Sequence, residues 1–197
     1  MKTIRIALVA LVIATLSCCS SVTGLKNIAD CKFQFKSISD VKLGNIDLSD
    51  KKSYKNLKLA DIAVLMVGYA QHSLMLDMNV NMKVHNPNDQ AAQLDGMDYI
   101  LFIDDQQMLE GKTKDKVKID AKSDDIVSLP VTLNFYDAVK DKKLQQMAEM
   151  AMDLATDNAD ASRVKVAIKP FFTFGKDTLR FPSYITIGGD QVMPKKN

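Results

Sequence analysis

The chain has 197 residues, with 26 basic and 24 acidic side chains and 47% hydrophobic residues. So even a balance gives no general electrostatic attraction for nucleic acid or anionic lipid, and nucleic acid is disfavoured as a partner class. The length suits one good hydrophobic core rather than two.

Lys2 and Arg5 precede an unbroken apolar run from Ile6 to Leu16, which ends at Ser17-Cys18-Cys19. A positive start, a short apolar stretch and small residues before a cut form the export pattern. Such a run reaches only about 16 Å as a helix, roughly half the hydrocarbon core, so it is too short to stay as a span. Ala14-Thr15-Leu16-Ser17-Cys18 resembles the lipobox read by lipoprotein signal peptidase, whose cysteine takes a diacylglyceryl group and becomes the new N-terminus. Residues 1–17 are therefore expected to be a lipoprotein signal peptide. Cutting before Cys18 leaves small Ser17 last in the signal; cutting before Cys19 restores an aliphatic, Leu16, three places back but leaves Cys18 last. Cys18 is the favoured lipidation site and Cys19 the alternative. The acyl chains expected there, palmitate among them, are enough for stable anchoring. Without Lys2 and Arg5 the chain holds 24 basic against 24 acidic residues, and no acid precedes Asp30. By resemblance to the sorting rules of diderm bacteria, that points to the outer membrane, facing the periplasm.

Residues 18–30 are small, polar and weakly patterned and are expected to be a lipidated tether of about 20 Å end to end. A single domain is expected over 31–190. Phe33, Phe35, Ile38, Val41 and Leu43 give a first strand with a break near Ser39-Asp40, and Cys31 shares the face of Phe33 and Phe35, which predicts burial. Near 57–70 the period changes to a helix that is apolar nearly all round. It is expected to be buried against the sheet and to plug one end of the core, the alternative being that it dips into a membrane.

Leu74, Leu76, Met78, Val80, Met82 and Val84 alternate strictly with other residues, the clearest strand in the chain, which ends at His85-Asn86-Pro87-Asn88-Asp89. Met97, Tyr99, Leu101 and Ile103 give the next strand, Asp104 to Gln107 a turn, Met108 to Gly111 a short return and Lys116 to Ile119 an edge. Val127 to Phe135 alternates again, with Pro130 on its polar face marking an edge or a bulge. Over 137–157, Leu144, Met147, Ala148, Ala151, Leu154 and Ala155 recur at three and four, an amphipathic helix. Val164, Val166 and Ile168 resume the sheet, a hairpin turns at Gly175-Lys176, and Ile185 and Ile187 close the domain before a polar tail at 191–197. About eight short strands interrupted irregularly by two helices argue for an antiparallel sandwich rather than a parallel α/β sheet.

An alternating strand running into Asn86-Pro87-Asn88, then an aromatic strand from Tyr99 that ends at Gly111, resembles the late embryogenesis abundant proteins of type 2, the water stress and hypersensitive response domain. Ile126 to Val131, with Pro130 before its second aliphatic, is similar to a later strand of the same family. The resemblance implies a mainly β, fibronectin type III or immunoglobulin-like sandwich with two inserted helices, structural roles for Asn86, Pro87 and Asn88, and no catalytic residues. It also implies a link to stress or desiccation tolerance. The helix at 137–157 departs from compact members of that family.

The familiar spacings for metal or nucleotide chemistry are absent, and His72 and His85 lie roughly 40 Å apart along one strand, too far to share an ion. No cofactor, metal or catalytic residue is expected. The expected function is that of a non-enzymatic envelope lipoprotein that binds or shields other envelope components. The competing reading is a module that presents Leu144, Met147, Met150, Ala151 and Leu154 to an envelope protein or an apolar ligand; an envelope enzyme ranks third.

Overall fold

The structure, a computed structural model, describes residues 27–156 and 163–188. The signal read at 1–17, the candidate lipidation sites Cys18 and Cys19, and the tail at 191–197 lie outside them. The described chain runs through β1 (Lys32–Leu43), β2 (Ile46–Asp47), a short 3-10 helix (Tyr54–Asn56), α1 (Leu59–Ala70) and β3 (Met75–His85). It continues with β4 (Ala92–Leu94), β5 (Gly96–Ile103), β6 (Gln106–Thr113), β7 (Val117–Ile119) and β8 (Asp124–Asn134). Two helices, α2 (Phe135–Ala138) and α3 (Leu144–Ala155), precede β9 (Val164–Phe174), β10 (Asp177–Arg180) and β11 (Ile185–Gly188).

The protein is mainly β, as its alternating patterns predict, and its sheets are antiparallel. One sheet has the order β2-β1-β3-β8; the second has the order β10-β9-β5-β6, with β11 also on β9; β4 and β7 form a small pair of their own. Period two decides what each strand buries. Leu76, Met78, Val80, Met82 and Val84 of β3 point inward with Val127, Leu129, Val131 and Leu133 of β8. Met97, Tyr99, Leu101 and Ile103 of β5 join Val164, Val166 and Ile168 of β9 in the same core. Pro130 has no N–H to give a neighbour, and β8 is an edge strand, where that costs nothing.

The uneven spacing in β1 also has a cause. Its pairing with β3 shifts register between Phe35 and Ser37 and again between Ser39 and Lys42, where Asp40 takes φ 55°. Each bulge adds one residue, so Ile38 and Val41 still face inward although they follow Phe35 at steps of three. Gly111 lies opposite Tyr99, and a Cβ there would come within 2.5 Å of the ring. The glycine that ends the aromatic motif is the space into which Tyr99 folds across β6.

Four expectations are corrected. The segment 18–30 is not all tether: residues 27–30 form a helical turn whose Asn27 and Ile28 are buried. The helix read at 137–157 is two, because the chain leaves helical geometry at Val139 (φ −135°, ψ 36°) and restarts after Lys143, whose N–H donates to Gln146 Oε1. Phe135, read as the end of a strand, opens α2 and is fully buried. Lastly, α1 is not a buried plug. Only Leu65 is buried, with Ile62 and Tyr69 half-buried beside it, while Leu59, Val64, Met66 and Val67 are exposed. It lies over the end of the core and leaves most of its circumference outside. Among the described residues no helix is long and apolar enough to cross a membrane.

α3 packs on β1 and buries its stripe. Leu154→Asp places a carboxylate in that core and is expected to cost on the order of 4 kcal/mol, whereas Leu144→Asp, at a half-buried position, should cost far less. Denaturant unfolding of the two variants measures the difference; equal midpoints would mean that the stripe is not buried.

Candidate functional site

Asn86 and Asn27 are buried polar residues, and one network joins them. Asn86 is 0% exposed. Its Nδ2 donates to the carbonyl oxygens of Gln90 (3.0 Å), Ile119 (3.1 Å) and Asp120 (2.9 Å). Two hydrogens serve three acceptors, so one bond is shared. Its Oδ1 accepts from the N–H of Asn88 at 3.0 Å and from Asn88 Nδ2 at 2.8 Å, an Asx turn closed by proline-fixed backbone. Asn88 Nδ2 then donates to Asn27 O at 2.9 Å, and Asn27 Nδ2 to Ala91 O at 3.2 Å. Lys122 closes the ring from outside: its Nζ donates to Pro87 O at 2.6 Å and its N–H to Asn88 O at 3.1 Å. Asn86, Pro87 and Asn88 thus fasten the β3 end to the β7 end and to the first turn of the domain. Every polar atom of the Asn86 side chain is occupied, which leaves nothing there for a ligand.

Most of the candidate interaction surface is covered. Met147, Ala151 and Leu154 are buried and Leu144 and Met150 half-buried, because α3 lays this stripe on the core. The polar face of β3 is also internally matched. Asn79 Nδ2 donates to Asp40 Oδ2 at 2.8 Å, Asn81 Nδ2 to Ser37 and Ser39, Ser128 Oγ to Asn81 Oδ1, and Thr132 Oγ1 to Asp77 Oδ1.

The histidines sit apart. His72 stacks on Tyr136 at 4.4 Å between ring centres, and Tyr69 meets the same ring edge-on at 5.3 Å. His85 Nδ1 lies 2.7 Å from Asp124 Oδ1, with Lys83 Nζ 2.9 Å from Oδ2; hydrogen bonds from Lys83 and then His85 hold the Asp124 carboxyl below the ordinary aspartate range. Arg163 donates through Nε (2.8 Å) and Nη2 (3.0 Å) to Asp104 and lowers it too, and Lys165 pairs with Asp105. Asp104, Asp105 and Asp124 are therefore ion partners of nearby cations. Among the described residues no cluster of histidine, cysteine or carboxylate side chains could hold a metal. Burial pushes the Cys31 thiol up to about 11, and it donates to Asn27 O. The surface that pattern reading ranked second, behind burial of the whole helix, is the outer side of α1. Its signal was present: a helix with a single charge, Asp61, and apolar residues on every side.

Asn86→Ala strands three carbonyls and is expected to cost about 2 to 3 kcal/mol without loss of the fold. Asn86→Asp should be worse, since it turns an acceptor toward the same carbonyls; a milder effect than alanine in urea titration would contradict the network. The lowered carboxyls of Asp104 and Asp124 stabilise the fold fully above the unfolded aspartate value, and this is lost as pH falls through their folded values. Stability is expected to be level down to about pH 5 and to decline below about pH 4, with a shallower decline in Asp104→Asn.

A profile of the family described as "Late embryogenesis abundant protein" matches residues 81–184, from within β3 to the residue before β11. No curated protein gives a match. Among solved structures, a protein from Archaeoglobus fulgidus is 15% identical, over 60% of this chain and 88% of its own, with a TM-score of 0.33. The solution structure of a candidate late embryogenesis abundant protein is 13% identical, over 93% of this chain and 87% of its own, with a TM-score of 0.35. The matched segment holds Asn86-Pro87-Asn88, Tyr99 with Gly111, and the Pro130 strand, and it spans more than half of the sequence: the chain belongs to the late embryogenesis abundant protein family.

Proposed function

We propose that this protein is a non-enzymatic lipoprotein of the cell envelope, held in the outer membrane by acyl chains on Cys18, with Cys19 as the alternative, and facing the periplasm. Its fibronectin type III-like sandwich binds or shields other envelope components when water is withdrawn. The observation that carries this reading is how close two boundaries lie. The lipobox ends at Cys18, and the packed chain has begun by Asn27, which is buried and bonded to Ala91. Eight residues, 19–26, lie between them, and such a length spans at most about 28 Å. A domain held so closely works at the membrane surface. The family is generally non-enzymatic, which supports the same reading. The competing module built on the 137–157 helix has less support, because Met147, Ala151 and Leu154 of its stripe pack on the core.

Radiolabelled palmitate fed to cells carrying Cys18→Ala or Cys19→Ala tests the anchor. The first variant is expected to lose label and the second to keep it; label in both, or in neither parent nor variants, would overturn the assignment. Crosslinking in intact cells followed by pull-down tests the role. A diffuse set of envelope proteins is expected, and one stoichiometric partner would replace shielding with specific binding.

A further inference from the structure

α1 carries an apolar surface that nothing covers among the described residues. Leu59 is 84% exposed, Met66 58%, Val67 56% and Val64 49%. At 3.6 residues per turn, Leu59, Ala63, Met66 and Ala70 form one line with Val67 beside it, about a quarter turn round the helix from the line of Ile62, Leu65 and Tyr69 that meets the core. Contiguous exposed apolar surface of this kind marks a contact. The face is convex and offers no side-chain hydrogen bond, so it suits a low-dielectric medium better than a partner read through paired polar groups.

The rim says which medium. Lys52, Lys55 and Lys58 precede the helix and are exposed. Tyr69 Oη donates to Lys142 O at 3.4 Å, which brings exposed Lys142 and Lys143 beside the last turn. The helix's own carboxylate, Asp61, accepts from the Lys58 N–H, and Asp137 accepts from Asn134 Nδ2. Both stay negatively charged, so with Asp50 and Asp141 four carboxylates stand among seven lysines, Lys51, Lys52, Lys55, Lys58, Lys140, Lys142 and Lys143, and the rim keeps a basic excess. A short apolar helix with lysines at both ends has the make-up of one lying in a bilayer interface, its lysine stems reaching up to anionic headgroups. We infer that α1 lies in the headgroup region of an anionic phospholipid bilayer, with Leu59, Ala63, Met66 and Ala70 downward.

This contact sets an orientation. β1 runs from Lys32, beside His85, to Leu43, beside Leu76, so Asn27 and α1 are at opposite ends of the sheet, about 40 Å apart at 3.3 Å per residue. A lipid at Cys18 and α1 can hold the same membrane together only when the strands lie along it. The inference rests on the proposed membrane location, but not on either cysteine being acylated.

The chain has no tryptophan, so Met66→Trp introduces a single indole, with Glu110→Trp on β6 as the comparison. The full chain is reconstituted with vesicles of phosphatidylglycerol or phosphatidylcholine carrying brominated acyl chains. The indole at 66 is expected to shift to the blue and lose about half of its emission in phosphatidylglycerol, less in phosphatidylcholine, with that preference reduced by Lys55→Glu with Lys58→Glu. The indole at 110 should stay wet. A chain that floats with vesicles while both indoles remain unquenched keeps the anchor and overturns the inference. Quenching at 66 that persists in Cys18→Ala with Cys19→Ala, when the parent too takes up no palmitate label, supports the inference while the lipid assignment falls. A blue shift that depends on protein concentration without vesicles gives the face to a second copy and overturns it.

Discussion

The carboxamide of Asn86 closes one end of this protein, and much of the fold depends on that closure. β4 and β7 pair over only three residues each, too few to hold themselves in water. What keeps them in place is the amide that reaches from the end of β3 to Ile119 O and Asp120 O, and through Asn88 to Asn27. The chemistry admits little else. The site asks for a donor toward three carbonyls and an acceptor for two N–H groups on one short side chain; aspartate lacks the donor and serine the reach. Pro87 adds a fixed φ and no N–H to satisfy.

The two ends of the strands are built on different principles. At the Asn86 end, order comes from hydrogen bonds between buried polar groups. At the other end it comes from apolar packing, with Leu65 and Leu74 against Gly44, Phe135 closing on Leu74 through its N–H at 2.7 Å, and the Tyr69–Tyr136–His72 stack holding α1 to α2. His72 takes φ 56° to turn the chain into β3, and Asn134 Nδ2 holds its carbonyl at 2.9 Å. The helix is thus tied down at its C-terminal turn, and its remaining surface faces outward.

What the sequence made legible follows where one physical rule acted alone. The strict alternation of Leu74 to Val84 could only be a half-buried strand, and β3 is one. Asn86-Pro87-Asn88 read correctly as turn chemistry, although not as the hub it is, because its partners Ile119, Asp120 and Asn27 are distant in sequence. β4 was missed since Ala92-Gln93-Leu94 is too short to show a period. The single helix at 137–157 failed at Val139, which is buried in a non-helical conformation that no periodicity announces. In β1 the two bulges hid an ordinary alternation behind steps of three.

The two main helices reverse the usual use of patterning. α3 has a clear stripe, which invited the idea of a binding face, yet a stripe is what a helix needs to settle on its own domain, and it does. α1 has no stripe, which invited the idea of complete burial. A helix that is apolar all round needs apolar surroundings on every side. Among the described residues the core supplies them on one side only, through Leu65, Ile62 and Tyr69. Covering the rest by the domain would take a further layer against Leu59, Met66 and Val67, and the segments that flank α1 bring lysines instead. A helix so composed and so flanked is completed from outside the described fold, and the surroundings it lacks are apolar below and anionic at the rim.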